Sequence, residues 1–274
     1  MRSSPFLPIR IESVAPRALA WLRQPGPRTV LGVYRQVLYL EHTSGLLALT
    51  TADVPLSPLS ARLADGCALP AAEIGDDASG WRFDVVAPGV WVARPDWTAL
   101  DLPGLMPAVF DARVSAEARL SAEAPEVLAR GRAAPLASAL LGLGPGLTPA
   151  GDDVLMGRLF ALHAGLWTAG AGQVAALLAE APSRTTRLSG AFLQAAAAGE
   201  CSQTWQDLWP TPSEPLDGSR ADAIRVILSV GQTSGAAALW GFMTATEAAK
   251  NHAPIRHNPG LPNGRRPSDP GEPT

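Results

Sequence analysis

The 274 residues of this chain carry 22 Lys and Arg against 25 Asp and Glu, a balance without the basic stripe that a nucleic-acid partner would require. Hydrophobic residues make up 47% and charged residues only 17%, which indicates that some apolar surface meets a partner protein. Cys67 and Cys201 stand apart, without metal-ligand spacing. This pattern argues against a zinc site or a disulfide framework and favours a reducing cytoplasm.

Strands are predicted in the first part of the chain, where β-branched and aromatic residues are frequent. The segment VLGVYRQVLYLEHTSGLLALTT predicts strands broken between His42 and Gly45, and WRFDVVAPGVWVARP predicts two more around Pro88 and Gly89. The N-terminal residues are interrupted by prolines and do not form the apolar run of a signal peptide. We therefore expect a small β domain, barrel-like or a sandwich, over residues 1–111.

Helices are predicted from about residue 112, where Ala and Leu recur with helical spacing. The apolar segment that starts at Val154 is interrupted by Arg158 and His163. It is shorter than the ~20 residues of a bilayer span, so we expect a buried helix and no membrane anchor. The fold class is therefore α+β, with a mainly α-helical domain over residues 112–250. Residues 251–274 hold six prolines and almost no large apolar side chains, which predicts a disordered tail.

The stretch GLGPGLTPAGDD at residues 142–153 is the strongest candidate for a functional site. It does not fit GxGxxG, Walker A or GxSxG, because the third glycine, the Lys-Ser or Lys-Thr pair and the serine nucleophile are missing. Thr148 before Pro149 is typical of a helix start, and a glycine-rich approach to a helix N-terminus leaves amides that bind anions. We expect Gly144, Gly146 and Thr148 to contact a phosphate or carboxylate.

A second segment with weaker similarity to this stretch, GQTSGAAALWG, starts at Gly231. Thr233 or Ser234 could cap the helix that follows, and we expect both residues to make a second anion contact. Two helix starts that face each other would together hold a small dianion.

Asp152 and Asp153 leave three interpretations open. The carboxylates satisfy first-turn amides, or one of them orients a substrate amine or a proton donor, or one binds Mg²⁺. Adjacent helix positions diverge by ~100°, so the two carboxylates should not bind one ion together. We predict no metal and no other cofactor, with Mg²⁺ as the alternative. Arg184 and Arg187, one helical turn apart, either grip a carboxylate or phosphate or form a solvated helix start.

Three motifs, in order and spacing, resemble a bacterial family of formerly uncharacterised proteins. The motifs are GLGPGLTPAGDDVLMG, RTTRLSGAFLQAAAAGE and SVGQTSGAAALWG, and the resemblance extends over about residues 30–248. The characterised member of this family is a subunit of oxamate carbamoyltransferase, a three-component enzyme of anaerobic allantoin degradation.

The resemblance implies a cytoplasmic transferase subunit of purine catabolism. Together with two larger subunits it would interconvert oxamate plus carbamoyl phosphate with oxalurate plus phosphate. The glycine stretch would then hold a small anion, and Asp152 or Asp153 would contact the oxamate amide as a catalytic residue.

The family pattern implies a histidine where this chain has Gln232. Glutamine can donate a hydrogen bond but cannot titrate, so we count Gln232 among the anion contacts only. Two alternatives stay open: a non-catalytic scaffold or regulatory subunit of such a complex, and a stand-alone phosphate-binding phosphotransferase.

Overall fold

The structure is a computed structural model that describes residues 8–133, 138–167, 169–209 and 216–252. Of the tail that the sequence predicts to be disordered, residues 251 and 252 belong to the last helix. The rest of that prediction lies outside the described residues.

One mixed sheet forms the N-terminal part of the chain. Its strands, in the order β2-β3-β4-β5-β1-β6, are β1 (Ile9–Val14), β2 (Thr29–Val33), β3 (Val37–His42), β4 (Gly45–Thr50), β5 (Ser60–Leu63) and β6 (Phe83–Val90). Helix α1 (Pro16–Leu22) follows β1. Strands β1 and β6, and also β4 and β5, are parallel, and the other neighbours are antiparallel. The strands therefore form an open sheet rather than the expected barrel or sandwich.

The hairpin predicted between His42 and Gly45 is confirmed, since these two residues close the β3–β4 ladder. The two strands predicted around Pro88 and Gly89 are instead the single strand β6. Its register against β1 shifts across this point. Proline has no N–H to donate to a ladder, and the strand nevertheless continues through this position.

Helices occupy the rest of the described chain and confirm the α+β class. They are α2 (Leu102–Glu123), α3 (Pro125–Ala133), α4 (Ala150–His163), α5 (Ala171–Arg184), α6 (Arg187–Ala197), α7 (Gln203–Gln206), α8 (Leu216–Ser229) and α9 (Ser234–His252). Helix α2 begins ten residues before the expected domain boundary, and the domain limits themselves stay a prediction. None of the helices described is long and apolar enough to cross a membrane.

The sheet is covered on both faces. Leu47 and Leu49 of β4 pack into a core with α1, whereas Leu46 and Ala48 pack with Leu188 of α6 on the opposite face. Successive side chains of a strand point to opposite faces, so a shift of one residue separates the two cores. This second face brings the sheet against the helices.

Helix α4 is the centre of the helical part and confirms the buried helix expected after the glycine stretch. It is buried on all sides and packs closely on α9. A Cβ atom on Gly157 would lie 1.8 Å from the Ala238 carbonyl oxygen, and one on Gly241 would lie 2.1 Å from the Val154 carbonyl oxygen. Only glycine allows the two backbones to approach this closely. The contact fixes the start of α4 beside the start of α9.

Candidate functional site

The glycine stretch forms a loop that lies against the junction of α5 and α6. Gly142, Gly144 and Gly146 all have positive φ, at 70°, 109° and 93°. A Cβ atom on Gly142 would lie 2.0 Å from the Arg184 carbonyl oxygen, whereas the space around Gly146 is open. Gly142 is therefore required for close packing, and Gly146 for its backbone conformation alone.

The first amides of α4 are engaged within the chain. The Gly151 N–H donates to the Leu143 carbonyl at 2.9 Å, and the N–H groups of Asp152 and Asp153 both contact the Pro149 carbonyl, at 2.9 and 3.2 Å. The helix starts directly after Thr148 and Pro149, as expected, but the capping residue is Pro149 and no side chain caps the helix. These three amides are not free to bind an anion.

Asp152 ties the glycine loop to the start of α6. Its Oδ1 accepts the Gly142 N–H at 2.9 Å, and its Oδ2 accepts the hydroxyls of Thr185 and of Ser189, the latter at 2.7 Å. Burial raises the pKa of Asp152, although hydrogen bonds from Thr185, Gly142 and Ser189 oppose the shift. Both oxygens of this carboxyl are therefore used to hold the loop in place.

Asp153 points in a different direction, into the interior between the sheet and the helices. Its side chain is buried, with the residue only 4% exposed. A hydrogen bond from Ser234 reaches the carboxyl, but Oδ2 has no partner among the described residues. Burial, and after it the neighbouring charge of Asp152, raise the pKa of Asp153 to about 8 despite the Ser234 bond. The carboxyl is consequently a neutral acid at neutral pH.

The glycine stretch and the similar segment that starts at Gly231 are in contact in the structure. Thr148, before α4, and Ser234, the first residue of α9, are joined through their hydroxyl oxygens at 3.1 Å. Thr233 holds the capping position of α9, since its carbonyl accepts the Ala237 N–H at 2.8 Å. Thr148, Ser234 and Asp153 thus form a continuous polar line from the loop to the interior.

A cavity of about 360 Å³ lies at the inner end of this line. It is bordered by the second face of the sheet, by α4 and α6, and by the start of α9. Its lining includes Val37, Tyr39, Thr50, Ser60, Asp153, Met156, Phe160, Phe192, Ser234 and Ala238. An outer pocket of about 490 Å³ shares part of this wall and is lined by Tyr34, Gly146, Thr148, Gln232, Thr233 and Ser234. Most of the predicted site residues therefore surround two adjoining spaces.

The two predicted arginines have other surroundings. Arg184 contacts Glu180 at 3.6 Å and the Ser138 carbonyl at 3.3 Å. Arg187 pairs with Glu41 on the sheet, and its side chain is 72% exposed. Neither arginine lies on the wall of the cavity or of the outer pocket. Gln232 lies at the outer pocket, where its Nε2 donates to Glu123 of α2 at 2.7 Å.

The sheet supplies polar residues that the sequence analysis missed. Tyr39, Thr50 and Ser60 all line the cavity, and the last two are 1% exposed. Burial, and then the neighbouring Tyr34, raise the pKa of Tyr39 to about 12, so its hydroxyl stays protonated. The only available signal was polar residues at Thr50 and Ser60, at the ends of apolar strands. That signal is too common to identify a site.

The described acids, histidines and cysteines do not come together as a metal site. Within the described part of the chain, no cluster of three or more His, Cys, Asp or Glu side chains could hold a metal ion. The divergence expected of Asp152 and Asp153 is observed, because one faces α6 and the other faces the cavity.

Comparison with known proteins gives one match. The sequence model of the family described as oxamate carbamoyltransferase subunit AllH matches residues 140–246. This is the family that the three motifs resemble, and the prediction of that resemblance is confirmed over this range. No curated protein matches the chain, and no solved structure matches it.

Proposed function

We propose that this chain is a subunit of an oxamate carbamoyltransferase-like complex and that the cavity beside Asp153 forms part of the substrate site. The observation that supports this proposal best is the position of the family match. Residues 140–246 contain the starts of both α4 and α9, and these two helix starts supply the polar line from Thr148 through Ser234 to Asp153.

The proposed reaction transfers a carbamoyl group between a phosphate oxygen and an amide nitrogen. In one direction the oxamate nitrogen attacks the carbamoyl carbon, the C–O bond to phosphate breaks with its electron pair, and the nitrogen loses a proton. In the other direction phosphate attacks the ureido carbon of oxalurate, and the departing oxamate nitrogen gains a proton. Both directions depend on alignment of the two reactants and on hydrogen-bond donors placed where charge develops.

Asp153 fits contact with the substrate better than Asp152 does. The carboxyl of Asp153 has an oxygen without a partner in the described structure and lines the cavity. Both oxygens of Asp152 already accept hydrogen bonds, from Gly142, Thr185 and Ser189. We assign substrate contact to Asp153, and the positioning of the glycine loop to Asp152.

The phosphate group requires positive charge that the two spaces do not offer. The residues described along their walls include the acids Asp153, Glu200 and Glu123, and no lysine or arginine. In our proposal the partner subunits contribute the cations that hold carbamoyl phosphate at the outer pocket. The site would then be complete only in the assembled enzyme.

A scaffold role is the second candidate, and the packing of the glycine loop favours it. Gly142 is required by contact with the Arg184 backbone, and Asp152 is fully used in holding the loop. A loop with these contacts has a structural purpose even without a ligand.

Activity of the reconstituted complex separates the two roles. We expect Asp153→Ala to lower the kcat/KM for phosphate-dependent cleavage of oxalurate by at least about 100-fold, because a group at the reacting amide typically contributes that much. Ser183, whose hydroxyl bonds to the Glu180 carbonyl on an exposed helix face, gives a control variant, Ser183→Ala, with normal activity. Normal activity of Asp153→Ala in an intact complex would show that the chain is a scaffold.

A further inference from the structure

We infer that Asp153 selects a neutral primary amide or ureido group, which it binds as an acid by donating a hydrogen bond from Oδ2 to the ligand carbonyl. This inference rests on the proposed function and gives the chemical reason why an amide would enter the cavity. It makes Asp153 the specificity-determining residue and Thr50 its companion on the sheet.

Two buried polar atoms on the cavity wall are without partners. They are Asp153 Oδ2 and Thr50 Oγ1, and neither has a hydrogen-bond partner among the residues described. Asp153 is 4% exposed and Thr50 is 1% exposed, and both line the same cavity. Buried polar groups in folded proteins nearly always have a partner. A small polar ligand in this cavity would supply a hydrogen-bond partner to the atoms that it reaches.

The protonation state of the Asp153 carboxyl determines which ligand can form hydrogen bonds with it. With its pKa raised to about 8 by burial, the carboxyl carries a proton at neutral pH and can both donate and accept. A primary amide presents the complementary pair, a carbonyl that accepts and an NH₂ group that donates. A Thr50 hydroxyl can accept from that same NH₂ group or donate to the carbonyl.

Charged groups are less suited to this position. A cationic ligand would favour the ionised carboxylate, whereas the burial of Asp153 favours the acid. A carboxylate ligand would bring a negative charge to a wall that already includes Glu200 and whose described residues include no lysine or arginine, and burying an unpaired charge is costly. In our inference the amide group of oxamate, and not its carboxylate, contacts Asp153.

The direct test is a titration of the Asp153 carboxyl in the assembled complex, in which only this chain carries the label. The chain is labelled with ¹³C at aspartate carboxyl carbons, and Asp153→Asn identifies the signal. We expect a midpoint near pH 8 that rises when acetamide or oxamate is added, because a bound amide stabilises the acid. An ionised carboxyl at neutral pH would overturn the inference. A midpoint that falls, or that does not move at any amide concentration, would overturn it as well.

Binding to the assembled complex gives the second test. Asparagine keeps one donor and one acceptor, so Asp153→Asn should bind oxamate within about threefold of wild type and lose the decrease in affinity above pH 8. Asp153→Leu should bind at least tenfold more weakly. Thr50→Val should weaken binding, while Thr51→Val should not, because Thr51 does not line the cavity. Equal affinity for oxamate and oxalate, or loss of binding in Asp153→Asn, would contradict amide selection.

The two proposals fail in different ways. If amides raise the midpoint but the complex transfers no carbamoyl group, the inference stands and the proposed function is wrong. If the complex is active while Asp153 is ionised at neutral pH, the proposed function stands and amide selection by the acid form is wrong.

Discussion

Replacing Asp153 with asparagine is expected to flatten the dependence of this protein's stability on pH. The pKa of Asp153 is raised from 3.8 to about 8 in the folded chain. Between these values the folded carboxyl keeps a proton that the unfolded carboxyl has lost. The contribution of Asp153 to stability is therefore largest below the pKa of the unfolded carboxyl. This contribution decreases as the pH rises towards about 8. One titrating group changes the free energy of unfolding by about 1.4 kcal/mol per pH unit.

The measurement is urea unfolding, followed by tryptophan fluorescence, at three pH values between 5 and 8. As the pH rises, we expect the free energy of unfolding of the wild type to decrease, relative to that of Asp153→Asn, by about 1.4 kcal/mol for each pH unit. Asp65→Asn, at an exposed position, serves as the control and should follow the wild type. Parallel curves for wild type and Asp153→Asn would show that the carboxyl is ionised throughout, and would refute the neutral acid.

Three further predictions concern the packing around the site. Gly157→Ala should lower the free energy of unfolding by at least about 3 kcal/mol in urea, because its Cβ would lie 1.8 Å from an α9 carbonyl, while Gly172→Ala, with open space around it, should be neutral or slightly stabilising. Asp152→Ala should cost about 3 kcal/mol by leaving its buried donors unpaired, and an unchanged melting temperature would show that the loop is held by other contacts. Arg187→Ala removes an exposed ion pair and should change stability by less than about 1 kcal/mol, with normal carbamoyl transfer; a large loss of activity would return this arginine to the site.

The residues around the cavity were predicted only in part from the sequence, because many of their contacts join segments that lie far apart along the chain. The adjacent acids Asp152 and Asp153 lie in the first turn of α4, but their spacing could not tell which one faces the cavity. Asp152 is held by Thr185 and Ser189, more than thirty residues away, and Asp153 faces a wall built partly by Thr50. Contacts between residues so far apart in sequence arise only when the sheet and the helices come together.

Capping illustrates a second limit. Thr148 followed by Pro149 has the composition of a helix start, and a helix does begin directly after them. The Thr148 hydroxyl nevertheless bonds to Ser234 of α9 at 3.1 Å rather than to an amide of its own helix. The local sequence therefore determines where the helix begins. The hydrogen-bond partner of the Thr148 side chain depends on the packing of α9 beside it.

The sequence by itself determined the α+β class, the β3–β4 hairpin, the buried central helix and the family resemblance. Each of these depends on periodicity, turn residues or motifs within a short segment, where the physical preference is local. The tertiary structure alone decided that the strands form one open sheet, that α4 and α9 meet through glycine, and that Asp153 is enclosed. Burial raises the pKa of Asp153, and burial is a property of the surroundings that distant segments create.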